Sequence, residues 1–112
     1  MSTVKDITES LDAKVLCRED LLENKVNTGF VGDLLSIVMG KAKDECAWIT
    51  IQSHLNIVAV GVLINASCII VTEGFEVEEN AIEKAIEEGI PILSTTVSSF
   101  QAATILSKLG IN

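Results

Sequence analysis

Apolar residues recur in two periods along this chain, and the changes from one period to the other mark its elements. Val4, Ile7 and Leu11 stand at helical spacing behind Ser2 and Thr3, either of which can cap, so a short helix is predicted over residues 3–11. The apolar run 13–17 reads as a first strand, and 19–24 as a turn or a single helical turn. A strand over 26–31 follows, then a tight turn at Gly32 and Asp33, then a helix through Leu34, Leu35, Ile37, Val38 and Met39 that Gly40 and Lys41 close.

The segment CAWITI, 46–51, is rich in strand formers and apolar on both faces, which suits a central strand covered on each side. The length of LNIVAVGVLINA favours a buried helix over about 53–64 rather than a strand, with Ser53 as its cap. SCIIV, 67–71, is a second continuous apolar strand, ended by Thr72, Glu73 and Gly74. The period then changes. Over 77–88, Ala81, Ile82, Ala85 and Ile86 share one helix face against glutamates on the other, and Gly89 stops the helix. Residues 90–93 form a strand with Pro91 near its start, where the lost amide hydrogen costs least. Ser98 or Ser99 caps a last helix that carries Phe100, Ala103, Ile105, Leu106 and Leu109 and ends at Gly110. Such alternation predicts an α/β fold: a mostly parallel sheet of about five strands with helices on both faces.

The 112 residues suit a single domain over 1–112, with 1–25 supplying an N-terminal helix and strand. A 48% hydrophobic and 21% charged composition belongs to a packed globule. The longest apolar stretch, 55–71, is interrupted by Asn56, Gly61, Asn65 and Ser67, so no membrane span is expected. The acidic, amphipathic N-terminus lacks the pattern of a secretory signal, and a cytoplasmic location follows as the expectation. Cys17, Cys46 and Cys68 form an odd set without CxxC spacing and read as small buried hydrophobes, not as a metal site. A net charge of −8 argues against nucleic acid as a partner. Seven of the 16 acidic residues fall between Glu73 and Glu88, so the acidity is regional.

In an open parallel sheet, ligands settle beyond the carboxyl ends of the strands. Three strand ends are polar here: residues 50–54, Thr72 to Gly74, and Ser94 to Thr96. If their strands are neighbours, helix N-termini at Ser53 and Ser98 point amide hydrogens at the same crevice, which suits an anion or a nucleotide phosphate. The candidate ligand-binding residues are Gln52, Ser53, His54, Asn56, Thr72, Glu73, Gly74 and Thr95. His54, the one histidine, can be drawn with Ser53 and Glu73 as a small hydrolase, but no GxSxG elbow marks Ser53 as activated. The pair Gly40-Lys41 lacks the remainder of a P-loop, with Leu35 and Ala42 where Gly and Ser or Thr are needed, and GxGxxG is missing. No catalytic residue, metal or cofactor is assigned. Trp48 reads as core and Phe75 as the more exposed aromatic. A small sheet with so much apolar sequence suggests a homodimer that hides an uncovered face.

The run CIIVTEGFEVEENAIEKAIEEGIPILSTTVSSFQAA, preceded by WITIQSHLNI, resembles the DRTGG domain family over about residues 29–109. Thr72 and Gly74 match the Thr and the last Gly of the signature, Glu73 replaces its middle Gly, and Ser53 and His54 stand where the naming Asp and Arg would be. The chain is similar to stand-alone members labelled HPr serine kinases and encoded beside iron-only hydrogenase subunits, a label that derives from the N-terminal, non-catalytic domain of HPr kinase/phosphorylase. The resemblance implies a regulatory or ligand-sensing module, a doubly covered sheet and frequent dimerisation, and it implies no reaction. The expected function is a non-enzymatic regulatory or ligand-binding domain acting as a homodimer. The alternatives are an accessory or assembly protein for an iron-only hydrogenase or related redox complex, and a small hydrolase using His54 and Glu73.

Overall fold

In the computed structural model, which describes residues 2–112, helix α1 (Val4–Leu11) leads into strand β1 (Lys14–Cys17), and a 3-10 turn at Glu19–Leu21 precedes β2 (Thr28–Val31). Helices and strands then alternate as α2 (Leu35–Lys41), β3 (Cys46–Thr50), α3 (Asn56–Leu63), β4 (Cys68–Val71), α4 (Glu79–Glu88), β5 (Ile92–Ser94) and α5 (Ser99–Lys108). Five strands form one sheet in the order β1-β5-β4-β3-β2. The pairs β2–β3, β3–β4 and β4–β5 are parallel, and β1 alone runs antiparallel, on β5. The expected mostly parallel α/β sheet is therefore present. Register sets Thr50 beside Val71 and Val71 beside Ser94, so the carboxyl ends of β3, β4 and β5 lie along one edge.

The middle of the sheet is buried on both sides, which is why β3 is apolar from Cys46 to Ile49 and β4 along its whole length, whereas the edge strands β1 and β2 admit Lys14 and Thr28. Trp48, Ile69, Val71 and Ile92 face a layer made by Val38 of α2, Ile57, Val58 and Val60 of α3, and Ala81 and Ala85 of α4. On the other side Ala47, Ile49, Ile70 and Leu93 meet Val4, Ile7 and Leu11 of α1 and Ala102 and Leu106 of α5. Helix α1 is held at its start by a reciprocal box: the Asp6 amide donates to the Thr3 hydroxyl and the Thr3 amide to the Asp6 carboxylate. Gly61 lets α3 lie close on the sheet, since a Cβ there would stand 2.8 Å from Ile90 Cδ1 and 2.9 Å from Ile69 Cδ1. Among the described residues no helix is long and apolar enough to cross a membrane.

Several expectations need correction in detail. CAWITI is an interior strand, but the middle of the sheet is β4. Helix α3 begins at Asn56, not Ser53, and Ser53 does not cap it. The chain after β3 is instead tied to neighbouring loops, so the first turn waits until Leu55. Helix α4 starts at Glu79, with Val77 buried ahead of it in the same cluster that Ile82 packs against. Ile86 is 51% exposed, because the buried arc of α4 is narrow and centred on Ala81 and Ala85. Phe100, one of the apolar residues carried by α5, is 83% exposed. It sits two residues before the buried Ala102, about 200° around the helix and so on the far side.

Candidate functional site

The polar edge is built from three buried threonines at the ends of neighbouring strands: Thr50, Thr72 and Thr95. Each hydroxyl is engaged by the protein itself. The Thr50 hydroxyl donates to Asp33 Oδ1 at 2.9 Å and accepts from the Gln52 amide at 3.1 Å. Thr72 Oγ1 lies 2.6 Å from Ser99 Oγ, and Thr95 Oγ1 accepts from the Val97 amide at 3.3 Å. Buried hydroxyls need partners, and here they fasten strand ends to the turn after β2, to the start of α5 and to the chain just beyond β5.

Around Thr72 these bonds make one knot. Glu73 and Gly74 both adopt left-handed backbone, at φ 64° and 74°. The Glu73 amide thereby donates to Val97 O at 2.9 Å and the Gly74 amide to Thr95 O at 3.1 Å. Glycine takes this conformation freely, whereas at Glu73 it costs about 1–2 kcal/mol that the surrounding bonds must offset. The Glu73 carboxylate accepts from the Ser99 amide at 3.0 Å, in the first turn of α5, where Ser98 also caps by accepting from the Gln101 amide. The positive end of α5 already holds a carboxylate of the chain itself.

The second group surrounds β3. Asp33 Oδ1 accepts from the Ile51 amide at 2.8 Å, and Gln52 Nε2 donates to Asp33 O at 3.0 Å. Ser53 contributes its carbonyl, which accepts from the Glu78 amide at 3.0 Å. The His54 ring is exposed and pairs through Nδ1 with Glu78 Oε2 at 2.7 Å. Asn56 opens α3, whose N-terminus has no side-chain cap. Beside it runs a groove of about 510 Å3 between α3 and α4, lined by His54, Leu55, Asn56, Ala59, Glu78 and Lys84.

The eight candidate residues thus fall into two groups on one edge: Thr72, Glu73, Gly74 and Thr95 in the knot, and Gln52, Ser53, His54 and Asn56 after β3, of which His54 and Asn56 line the groove. The pairing imagined for a hydrolase is replaced: His54 bonds Glu78, and Glu73 bonds α5. Sequence reasoning missed Asp33, Glu78 and Ser99 as partners and Lys84 as a lining residue. The turn at Gly32 and Asp33 and the acids opening α4 were visible signals for the first two. The edge carries Asp33, Glu73 and Glu78, while Lys84 leans 3.4 Å from Glu88. Among the described residues no group of three His, Cys, Asp or Glu side chains converges on a metal-sized site.

A solved structure of the CBS and DRTGG domains of the regulatory region of a Clostridium perfringens pyrophosphatase, complexed with the activator diadenosine tetraphosphate, superposes with a TM-score of 0.75 at 19% identity. The match covers 93% of this chain and 45% of that one, so the chain spans less than half of that region. No curated protein sequence matches the chain. The DRTGG domain family model matches residues 6–109, nearly the whole length, and the chain belongs to the DRTGG domain family.

Proposed function

We propose that this chain is a non-enzymatic regulatory domain that acts as a homodimer and binds a nucleotide or related anion at the carboxyl edge of its sheet. The observation that carries this reading is the grouping of three neighbouring polar strand ends beside an open groove, in a fold shared with a nucleotide-binding regulatory region. Of the helix N-termini at that edge, that of α5 is occupied by Glu73 and that of α4 opens with Glu78 and Glu79, which favours α3, uncapped and with His54 and Asn56 beside it, as the end that meets an anion. The acids at the edge favour an anion whose charge is partly neutralised, as in a magnesium-bound nucleotide. Three free buried thiols suit a reducing, cytoplasmic setting.

Thermal-shift and calorimetric titration with inorganic phosphate, adenine nucleotides and diadenosine tetraphosphate, each with and without Mg2+, tests the reading. Ligand at about 100 times Kd stabilises the fold by about 2.7 kcal/mol, which raises Tm by several degrees. His54→Ala and Asn56→Ala should each lower the affinity while leaving the unliganded Tm within about 1 °C. No binding to any of these probes would overturn the proposal, and binding that neither substitution affects would remove the site from it.

A further inference from the structure

Helix α3 is apolar around its whole circumference, yet it lies on the surface. Ile57, Val58, Val60 and Gly61 face the sheet, while Leu55, Ala59, Val62 and Leu63 point outward, Leu63 at 68% exposure. A helix apolar on all sides is normally buried on all sides. We infer that the outward stripe of α3 is the contact surface for a second copy of this chain. This inference rests on the homodimer named under the proposed function and identifies the face by which it forms.

Three observations favour a copy of the chain over another occupant. The first is charge. The chain carries −8, so two copies repel, and repulsion is least where the facing surfaces bear no charge. Asn56–Leu63 is the one helix of the five without a charged residue. The second is symmetry. Leu55, Ala59 and Leu63 stand four residues apart and so form one ridge, with the small side chain at its midpoint. A two-fold axis beside Ala59 lets the helices approach closely and brings the Leu55 end of one ridge against the Leu63 end of the other, the self-complementarity an isologous interface requires. The third is area. Leu55, Ala59, Val62 and Leu63 together leave on the order of 300 Å² of aliphatic surface exposed on one helix, a patch of the size that marks a contact site on a protein surface.

A copy seated there also roofs the groove, since Leu55 and Ala59 line it. The ligand site is then completed by the second copy, and ligand binding and dimerisation reinforce each other.

Light scattering over about a hundredfold range of concentration tests the inference in the full chain. The wild type should show twice the monomer mass. Ala59→Glu should show the monomer mass with an unchanged circular dichroism spectrum, and Leu63→Ser should weaken dimerisation by at least about tenfold, the loss expected for a leucine at the contact. Ala59→Cys should form a disulfide-linked dimer on mild oxidation, whereas the wild type, with its thiols buried, should form none. A dimer that survives Ala59→Glu and Leu63→Ser, with no cross-link from Ala59→Cys, would overturn this surface and leave the homodimer itself standing. A wild type monomeric throughout would overturn both.

Discussion

Replacing Gly61 by alanine should destabilise this protein, and replacing Gly40 by alanine should stabilise it, although both glycines lie inside helices. Alanine gains about 0.5–1 kcal/mol over glycine in a helix interior, because the unfolded chain loses freedom it would otherwise keep. At Gly40 an added Cβ meets nothing within 4 Å, so the gain stands alone. At Gly61 the same atom arrives 2.8 Å from Ile90 Cδ1 and 2.9 Å from Ile69 Cδ1, both on buried side chains wedged between α3 and the sheet. Relieving the contact needs a shift approaching 1 Å in a closely packed layer, and overpacking of this kind costs about 1–3 kcal/mol. The net loss for Gly61→Ala is then about 0.5–2 kcal/mol, or roughly 2–8 °C in Tm for a chain of this size. Trp48 is fully buried, so its emission should report urea unfolding directly. A Gly61→Ala midpoint equal to or above that of Gly40→Ala would refute the close seating of α3 on β4.

Asp33→Ala should cost about 2 kcal/mol in thermal unfolding, because it takes the acceptor from the buried Thr50 hydroxyl and from the Ile51 amide; Asp33→Asn, which retains an acceptor oxygen, should cost less than half as much. Burial pushes the Cys46 thiol up to about 11 from an ordinary value of 9.0, and burial likewise raises Cys68 and Cys17. The unfolded thiols therefore lose their protons first, so the stability these groups contribute is whole below pH 9.0 and falls as pH rises from there through about 11. The expected loss is on the order of 2 kcal/mol for Cys46, and Cys46→Ala should flatten the dependence of the urea midpoint on pH across that range.

The layers of the fold were legible because β4 and the first four residues of β3 are apolar without interruption, the pattern of a sheet covered on both sides. The ends of elements were less so. Ser53 is a good capping residue, but its neighbourhood is fixed by partners distant in sequence: Asp33 holds Ile51 and Gln52, and Glu78 takes both the Ser53 carbonyl and the His54 ring. Local propensity cannot register those partners. The same holds for Glu73, whose place at α5 depends on two consecutive left-handed residues turning the chain toward Ser99. Phe100 shows a different limit: its apolar character suits α5 but does not say which side of the helix it takes.

Strand β1 is set apart by its direction and also by how far along the chain its partner lies. Lys14 pairs with Ser94, some 80 positions away, and Ser2 donates to Leu109 across 107. The pairings of β2, β3, β4 and β5 link successive strands, so each closes a short loop before the next is made. A refolding chain is therefore expected to assemble the parallel strands first and to dock α1 and β1 last, onto a β5 that already exists. In the native protein the order reverses. The N-terminal arm, joined to β5 through an irregular register between Val15 and Cys17, is where opening should begin, and its amides should exchange with solvent ahead of those in β3 and β4.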